Sequence, residues 1–140
     1  MNTYTYAAIE EGMEESFQVT VTEQMMEAFL QITGDDNPLH TDAEYARSRK
    51  YEDKVAYGML TASLYSRLAG VCLPGKYSLI HSMESKFLRP VYVGDMLTVS
   101  GVVKEKEEAC HMLILSILVH NQKGEKVAKG TMQIKMMDEE

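Results

Sequence analysis

Apolar and polar residues alternate along several stretches of the chain. Residues 17–22 alternate first, and the clearest later stretches are 96–103, 112–120 and 127–136. A period of two residues is typical of a β-strand that buries one face and exposes the other. Turns that contain glycine lie at residues 93–95 and 123–125, and residues 105–108 suit a charged hairpin tip, so we predict an antiparallel sheet.

Two other stretches have helical spacing. Apolar residues recur every three or four positions from Met25 to Thr33, which predicts an amphipathic helix. Residues 58–72 are apolar around nearly the whole circumference of a helix, and Arg67 is their only charged residue. Such a helix is expected to be buried. We therefore predict an α+β fold in which the antiparallel sheet wraps around a long apolar central helix.

Length and charge limit the possible functions. The 140 residues contain no Pro/Gly-rich linker, so residues 1–140 are expected to form one domain with an ordered core at about 17–136. A formal net charge of −7 argues against nucleic acid or an anionic membrane as a partner. No membrane helix or leader is apparent, which predicts a cytoplasmic protein. Cys72 and Cys110 are isolated, so no metal site is expected.

A short turn between the predicted helices holds candidate chemistry. Gly34 suits the end of a helix, and Pro38 restricts the backbone between Asp35 and His40. An imidazole held within reach of a carboxylate is suited to general acid–base catalysis. The alternative is an ordinary loop in which Asp35 only closes a turn through the backbone.

Four stretches resemble the MaoC-like (R)-specific enoyl-CoA hydratases, a family with the hot-dog fold. They are residues 33–40, which look like the family's hydratase signature, residues 56–63, residues 86–95 and, more weakly, residues 124–130. The resemblance implies a single hot-dog domain and a hydratase or dehydratase activity.

The resemblance also implies catalytic roles. Asp35 and His40 are expected to activate a water molecule that adds across a trans-2-enoyl thioester to give an (R)-3-hydroxyacyl thioester, or to catalyse the reverse dehydration. Which of the two holds which proton stays open, because coupled groups titrate as a unit. Gly58 begins the central helix, and its main-chain N–H is expected to stabilise the negative charge on the thioester oxygen.

Five further residues are candidates for substrate binding. Asn37 and Ser63 match positions of the family's motifs and could orient the loop or the water, although a purely structural hydrogen bond is the alternative. Tyr57 stands where these hydratases often have histidine; it either keeps a hydrogen bond at the pocket wall or narrows the acyl tunnel. Arg47 and Arg49 belong to a basic cluster that suits the phosphates of coenzyme A. The alternative for this cluster is a solvated helix end.

The expected substrate is an acyl-CoA or an acyl-carrier-protein thioester. Coenzyme A or phosphopantetheine would then be part of the substrate, and no separate cofactor is expected. A homodimer is expected, because a single hot-dog unit leaves a sheet edge uncovered. The alternative functions are a hot-dog acyl-CoA thioesterase and a non-catalytic module for acyl-thioester binding or dimerisation.

Overall fold

A five-stranded antiparallel sheet forms the body of the protein in a computed structural model, which describes residues 1–138. The strands are β1 (Glu14–Thr20), β2 (Ser78–Phe87), β3 (Met96–Glu107), β4 (Met112–His120) and β5 (Lys126–Met136). Their order across the sheet is β1-β3-β4-β5-β2, and each neighbouring pair is antiparallel. This confirms the predicted antiparallel sheet.

The inner face of the sheet carries the core. In β5, Ala128, Met132 and Ile134 are buried, whereas Lys129 and Thr131 are exposed. The same pattern in β3 and β4 buries Leu97, Val99, Val103, Leu113, Leu115, Ile117 and Val119. The predicted alternation is therefore confirmed, and its apolar side faces the helices.

Three helices come between β1 and the central helix. They are α1 (Glu23–Thr33), α2 (Pro38–Thr41) and α3 (Ala43–Ser48). The side chain of Thr22 caps α1 by accepting a hydrogen bond from the main-chain N–H of Met25. Gly34 ends α1 in the left-handed conformation with φ 72°. The chain thus leaves α1 in a defined direction and enters α2 four residues later.

The central helix consists of α4 (Gly58–Arg67) and a π-helical extension (Leu68–Cys72), which together match the predicted 58–72. Its buried residues are Thr61, Ala62, Tyr65, Leu68 and Ala69. The extension contacts both β1 and β2, the two edges of the sheet. The sheet therefore curves around this helix.

The prediction that this long helix is apolar and buried on all sides is wrong for the single chain. Met59 is 71% exposed, and Val71 and Ser63 also face solvent. The physical reason is that one curved sheet covers only one side of a helix. The number of apolar residues in the sequence does not reveal which side that is.

The N-terminal segment packs against the fold, so the predicted lower bound of the ordered core, residue 17, is too late. Asn2 donates its main-chain N–H to the carbonyl of Val71 at 2.8 Å and its side-chain amide to the carbonyl of Cys72 at 2.7 Å. The hydroxyl of Tyr4 donates to Glu15 at 2.8 Å. The two Asn2 bonds satisfy carbonyl groups at the end of the central helix, which lack partners within the helix itself.

Strand β2 lies at an edge of the sheet and presents apolar side chains. Ile80, Met83 and Phe87 are exposed, although they pair with Ile134, Met132 and Ala128 on the apolar face of β5. We call these three residues the β2 apolar strip. An exposed edge strand with an apolar surface is a template for pairing with another strand.

Gly130 in β5 has no room for a side chain. A Cβ atom on it would lie 2.2 Å from the main-chain oxygen of Glu84 and 3.2 Å from Cε2 of Tyr65. We expect Gly130→Ala to lower the free energy of unfolding by about 1–3 kcal/mol, because overpacking displaces neighbouring groups. Urea unfolding measures this change. Gly70→Ala is the control, since a Cβ there meets nothing within 4 Å; equal stability of the two variants would contradict the close packing at Gly130.

Candidate active site

The turn that leads into α2 is built from local hydrogen bonds. The main-chain N–H of Asn37 donates to Oδ1 of Asp35 at 3.2 Å, and the main-chain N–H of Leu39 donates to Oδ1 of Asn37 at 2.9 Å. Pro38 occupies the first position of α2, where its missing N–H costs nothing. Asp35 therefore closes the turn through a hydrogen bond from the backbone, which is the alternative role that the sequence analysis allowed. Its exposed carboxylate also lines a cavity.

His40 is held in a defined orientation. Its Nδ1 lies 2.7 Å from the carbonyl oxygen of Val55. A carbonyl oxygen can only accept a hydrogen bond, so Nδ1 carries the proton and Nε2 of the neutral ring has a free lone pair. The imidazole also stacks on the ring of Tyr57, with 4.3 Å between the centroids and 30° between the planes. This arrangement makes Nε2 of His40 the basic atom.

Tyr57 connects the two candidate catalytic residues. Its side chain is only 2% exposed, and its hydroxyl donates to the main-chain oxygen of Asp35 at 2.7 Å. The ring also packs against Phe29, with 4.6 Å between the centroids. Burial raises the pKa of the Tyr57 phenol above its ordinary value, and the charges of Asp35 and Asp36 raise it further. The hydroxyl therefore stays protonated and remains a donor at neutral pH.

Gly58 is the first residue of α4 and lies next to an aromatic ring. A Cβ atom on Gly58 would lie 3.2 Å from Cδ1 of Phe87. The main-chain N–H groups at the start of a helix have no acceptor within the helix and point along the positive end of its dipole. Tyr57, which precedes Gly58, makes no side-chain capping bond to this helix. The first turn of α4 is thus suited to stabilising negative charge.

Two neighbouring cavities meet at His40, Gly58 and Phe87. Asp35 lines one of them, which we call the Asp35 cavity, and Arg89 lines the other, the Arg89 cavity. Each has a volume of about 340 Å³. The structure therefore places Asp35, His40 and the first residue of α4 around one space. These residue types are suited to acid–base chemistry on a polarised carbonyl compound.

Four of the predicted substrate-binding residues do not line either cavity. Asn37 caps α2, and Ser63 is exposed and donates its hydroxyl to the carbonyl of Leu60 at 2.6 Å. Both make the purely structural hydrogen bonds that the sequence left as alternatives. They contribute no side chain to the space around His40.

The basic cluster is also engaged elsewhere. The guanidinium of Arg47 lies 3.8 Å from the carboxylate of Asp53, and the guanidinium of Arg49 lies 5.2 Å from the centroid of the Tyr45 ring. Neither arginine lines the cavities. Arg47 and Arg49 therefore fit the alternative interpretation, a solvated helix end, better than they fit a phosphate site.

Residues that the sequence analysis did not select complete the cavity walls. Phe29 and Phe87 border the Asp35 cavity, and Thr61, Tyr51 and Arg89 border the Arg89 cavity. Phe87 and Arg89 lie within residues 86–95, one of the four stretches that carry the family resemblance. That stretch could have indicated them, whereas only the fold brings Phe29 and Tyr51 to the site.

Residues 1–138 contain neither a candidate metal-binding cluster nor a membrane-spanning helix. No group of three or more His, Cys, Asp or Glu side chains in this range is placed to hold a metal ion. Within the same range, the helices are too short or too polar to cross a membrane.

Comparison with known proteins gives a consistent family. A family model described as a MaoC like domain matches residues 5–123. The (R)-specific enoyl-CoA hydratase of Rhodospirillum rubrum is 34% identical over 103 residues, which cover 71% of this chain and 72% of that protein. The enzyme of the same description from Aeromonas caviae is 35% identical over 109 residues, covering 78% and 81%.

A solved structure shows the same fold. The unliganded R-hydratase PhaJ1 of Pseudomonas aeruginosa superposes with a TM-score of 0.90 at 32% identity, covering 96% of this chain and 86% of that one. The match confirms the hot-dog fold that the sequence resemblance implied.

The proton position on His40 can be measured directly. We expect the neutral ring to carry its proton on Nδ1, because the Val55 carbonyl can only accept. Long-range ¹⁵N–¹H correlation spectra of labelled protein at alkaline pH would then show a pyridine-type Nε2, with His40→Ala assigning the signal. His81, exposed on β2, provides the solvated reference. A proton on Nε2 of neutral His40 would contradict this geometry.

Proposed function

The chain belongs to the MaoC-like dehydratase family, and we propose that it catalyses the (R)-specific hydration of trans-2-enoyl-CoA, or the reverse dehydration, through Asp35 and His40. The observation that carries this proposal is that Asp35, His40 and Gly58 border one cavity. The relatives are named for (R)-specific hydration, which supports the proposed stereochemistry.

The geometry supports a proton-transfer mechanism. Nε2 of His40 accepts a proton from water, and the carboxylate of Asp35 holds the same water by a hydrogen bond. The oxygen of the water forms a bond to the β-carbon of the enoyl thioester. The coupled Asp35–His40 pair then delivers the proton to the α-carbon, so one molecule of water is added. Dehydration follows the same steps in reverse.

Gly58 supplies the third element of this mechanism. Addition to the β-carbon moves electrons to the thioester oxygen, and a main-chain N–H in the first turn of α4 can donate to that oxygen. The missing side chain matters because a Cβ would already lie 3.2 Å from the ring of Phe87. Glycine therefore leaves space for the thioester next to the amide.

The proposed reaction is redox-neutral and uses only these groups. We propose that it requires no resident metal or cofactor, with coenzyme A or phosphopantetheine entering as part of the thioester. Arg89 borders the cavity on the side away from Asp35 and is paired with Glu125 at 3.5 Å. It is a better candidate than Arg47 or Arg49 for a cation near the thioester carrier.

A homodimer is the proposed assembly. The β2 apolar strip lies on an edge strand, and antiparallel pairing of β2 with β2 of a second copy would bury it and continue the sheet. Phe87 belongs both to this strip and to the walls of both cavities. The second copy would therefore lie next to the proposed active site.

Crotonyl-CoA tests the proposed activity. We expect the conjugated enoyl-thioester absorbance to fall without release of free thiol. Asp35→Asn and His40→Ala are each expected to lower the rate on the order of 100- to 10,000-fold while the fold is retained. Asp36→Asn is the matched control, because this neighbouring acid does not line the cavity.

The alternative functions predict different results. Thiol release would indicate a thioesterase, and saturable binding without turnover would indicate a non-catalytic module. Unchanged turnover in Asp35→Asn or His40→Ala would exclude that residue from the mechanism.

Light scattering tests the assembly. We expect a particle of twice the chain mass of 15.8 kDa. Met83→Lys places a charge in the β2 apolar strip and is expected to weaken the dimer, whereas Ile32→Lys, at an 81% exposed apolar residue on α1, is expected to leave it unchanged. A monomeric wild-type chain would contradict the proposed homodimer.

A further inference from the structure

We propose that Tyr57 is a positioning residue that holds Asp35 and His40 in a fixed relation to each other. The proposal rests on the proposed acid–base function of that pair. Tyr57 also lines the Asp35 cavity, and the role assigned to it here is to hold its two neighbours in place.

Tyr57 joins residues 35–37, which we call the Asp35 turn, to the start of α4. The other hydrogen bonds of residues 35–37 run to partners at most five residues away, such as Thr33 and Thr41. Within the described residues, the bond from the Tyr57 hydroxyl to the Asp35 carbonyl is the one that crosses 22 positions. Val55 holds the chain that follows the turn, at Leu39 and His40. The Tyr57 bond holds the beginning of the turn at Asp35.

The same side chain also restrains His40. The Val55 carbonyl holds one edge of the imidazole at Nδ1, and the Tyr57 ring covers one face of it. An edge contact leaves the ring free to rotate about the hydrogen bond, and a stacked neighbour removes that freedom. Both contacts together define the direction of Nε2.

The backbone and the side chain of Tyr57 are themselves held in place by their contacts. Its backbone is the N-cap of α4, and its ring is enclosed by Phe29 on one side and His40 on another. The hydroxyl has a single hydrogen-bond acceptor, the Asp35 carbonyl. The start of α4, the Asp35 turn and the His40 ring are therefore joined by one buried residue.

Loss of the hydroxyl should affect the chemical step more than substrate binding. Small displacements of catalytic groups reduce the rate because proton transfer requires near-ideal distances. We expect Tyr57→Phe to lower kcat with crotonyl-CoA about tenfold and to leave KM within about twofold. A tenfold change corresponds to about 1.4 kcal/mol of activation free energy, which is within the range for the loss of one hydrogen bond. The ring, and with it the stacking on His40, is retained.

Tyr65→Phe is the matched control. Tyr65 is 1% exposed, its hydroxyl bonds the Ser85 hydroxyl at 2.9 Å, and it lines neither cavity. Both variants lose one buried tyrosine hydroxyl, so both are expected to lose similar stability. Only Tyr57→Phe is expected to lose kcat.

Amide hydrogen exchange separates this proposal from the proposed function. Exchange at Leu39 and His40 should become faster in Tyr57→Phe and stay unchanged in Tyr65→Phe. If wild-type protein shows no hydration but this difference in exchange is present, the proposed function fails and the positioning role stands. Unchanged exchange, unchanged kcat in an active enzyme, or a change in KM alone would each overturn the positioning role.

Discussion

The contact between the central helix and the inner face of the sheet sets the position of the other parts. Tyr65 and Leu68 approach the strands so closely that glycine is needed opposite them, with a Cβ on Gly101 only 2.8 Å from Cδ2 of Leu68. Once the helix lies at this depth, the amide groups of its first turn have a fixed place next to Phe87. The turn that carries Asp35 must then reach that place.

Main-chain groups determine much of the geometry of the candidate site. The Val55 carbonyl orients the imidazole of His40, the Asp35 carbonyl receives the Tyr57 hydroxyl, and Gly58 offers its amide. Such groups keep their positions because the fold defines them, and they do not change charge with pH. The acidic surface of the protein therefore has little part in the geometry around the proposed reacting atoms.

Sequence patterns predicted the features that depend on neighbouring residues. The alternation in β5, the bounds of the central helix and the role of Gly34 follow from local burial and backbone preference, and the structure agrees with them. The exposed side of the central helix and the packing of Asn2 against Cys72 depend on which segments meet in three dimensions. No local pattern contains that information.

The same limit applies within the site. The resemblance selected Asp35, His40 and Gly58, and the structure brings all three to one cavity. The resemblance did not reveal that Tyr57 donates a hydrogen bond to the Asp35 carbonyl. Tyr57 stands where the family often has histidine, and its partner lies 22 positions away in the sequence. Arg47 was a candidate phosphate ligand because it belongs to a basic cluster. Its pairing with Asp53 could not be predicted, because that contact depends on the conformation of the loop after α3.

The strand order has a consequence for how the chain reaches its final state. β5, the fifth strand along the chain, inserts between β4 and β2, and β2 pairs with no other strand in the described sheet. The hydrogen bonds of the strand that carries Phe87 therefore cannot form until β5 has been synthesised. Such non-local closure slows folding, and β2 with its apolar side chains must wait unpaired in the meantime.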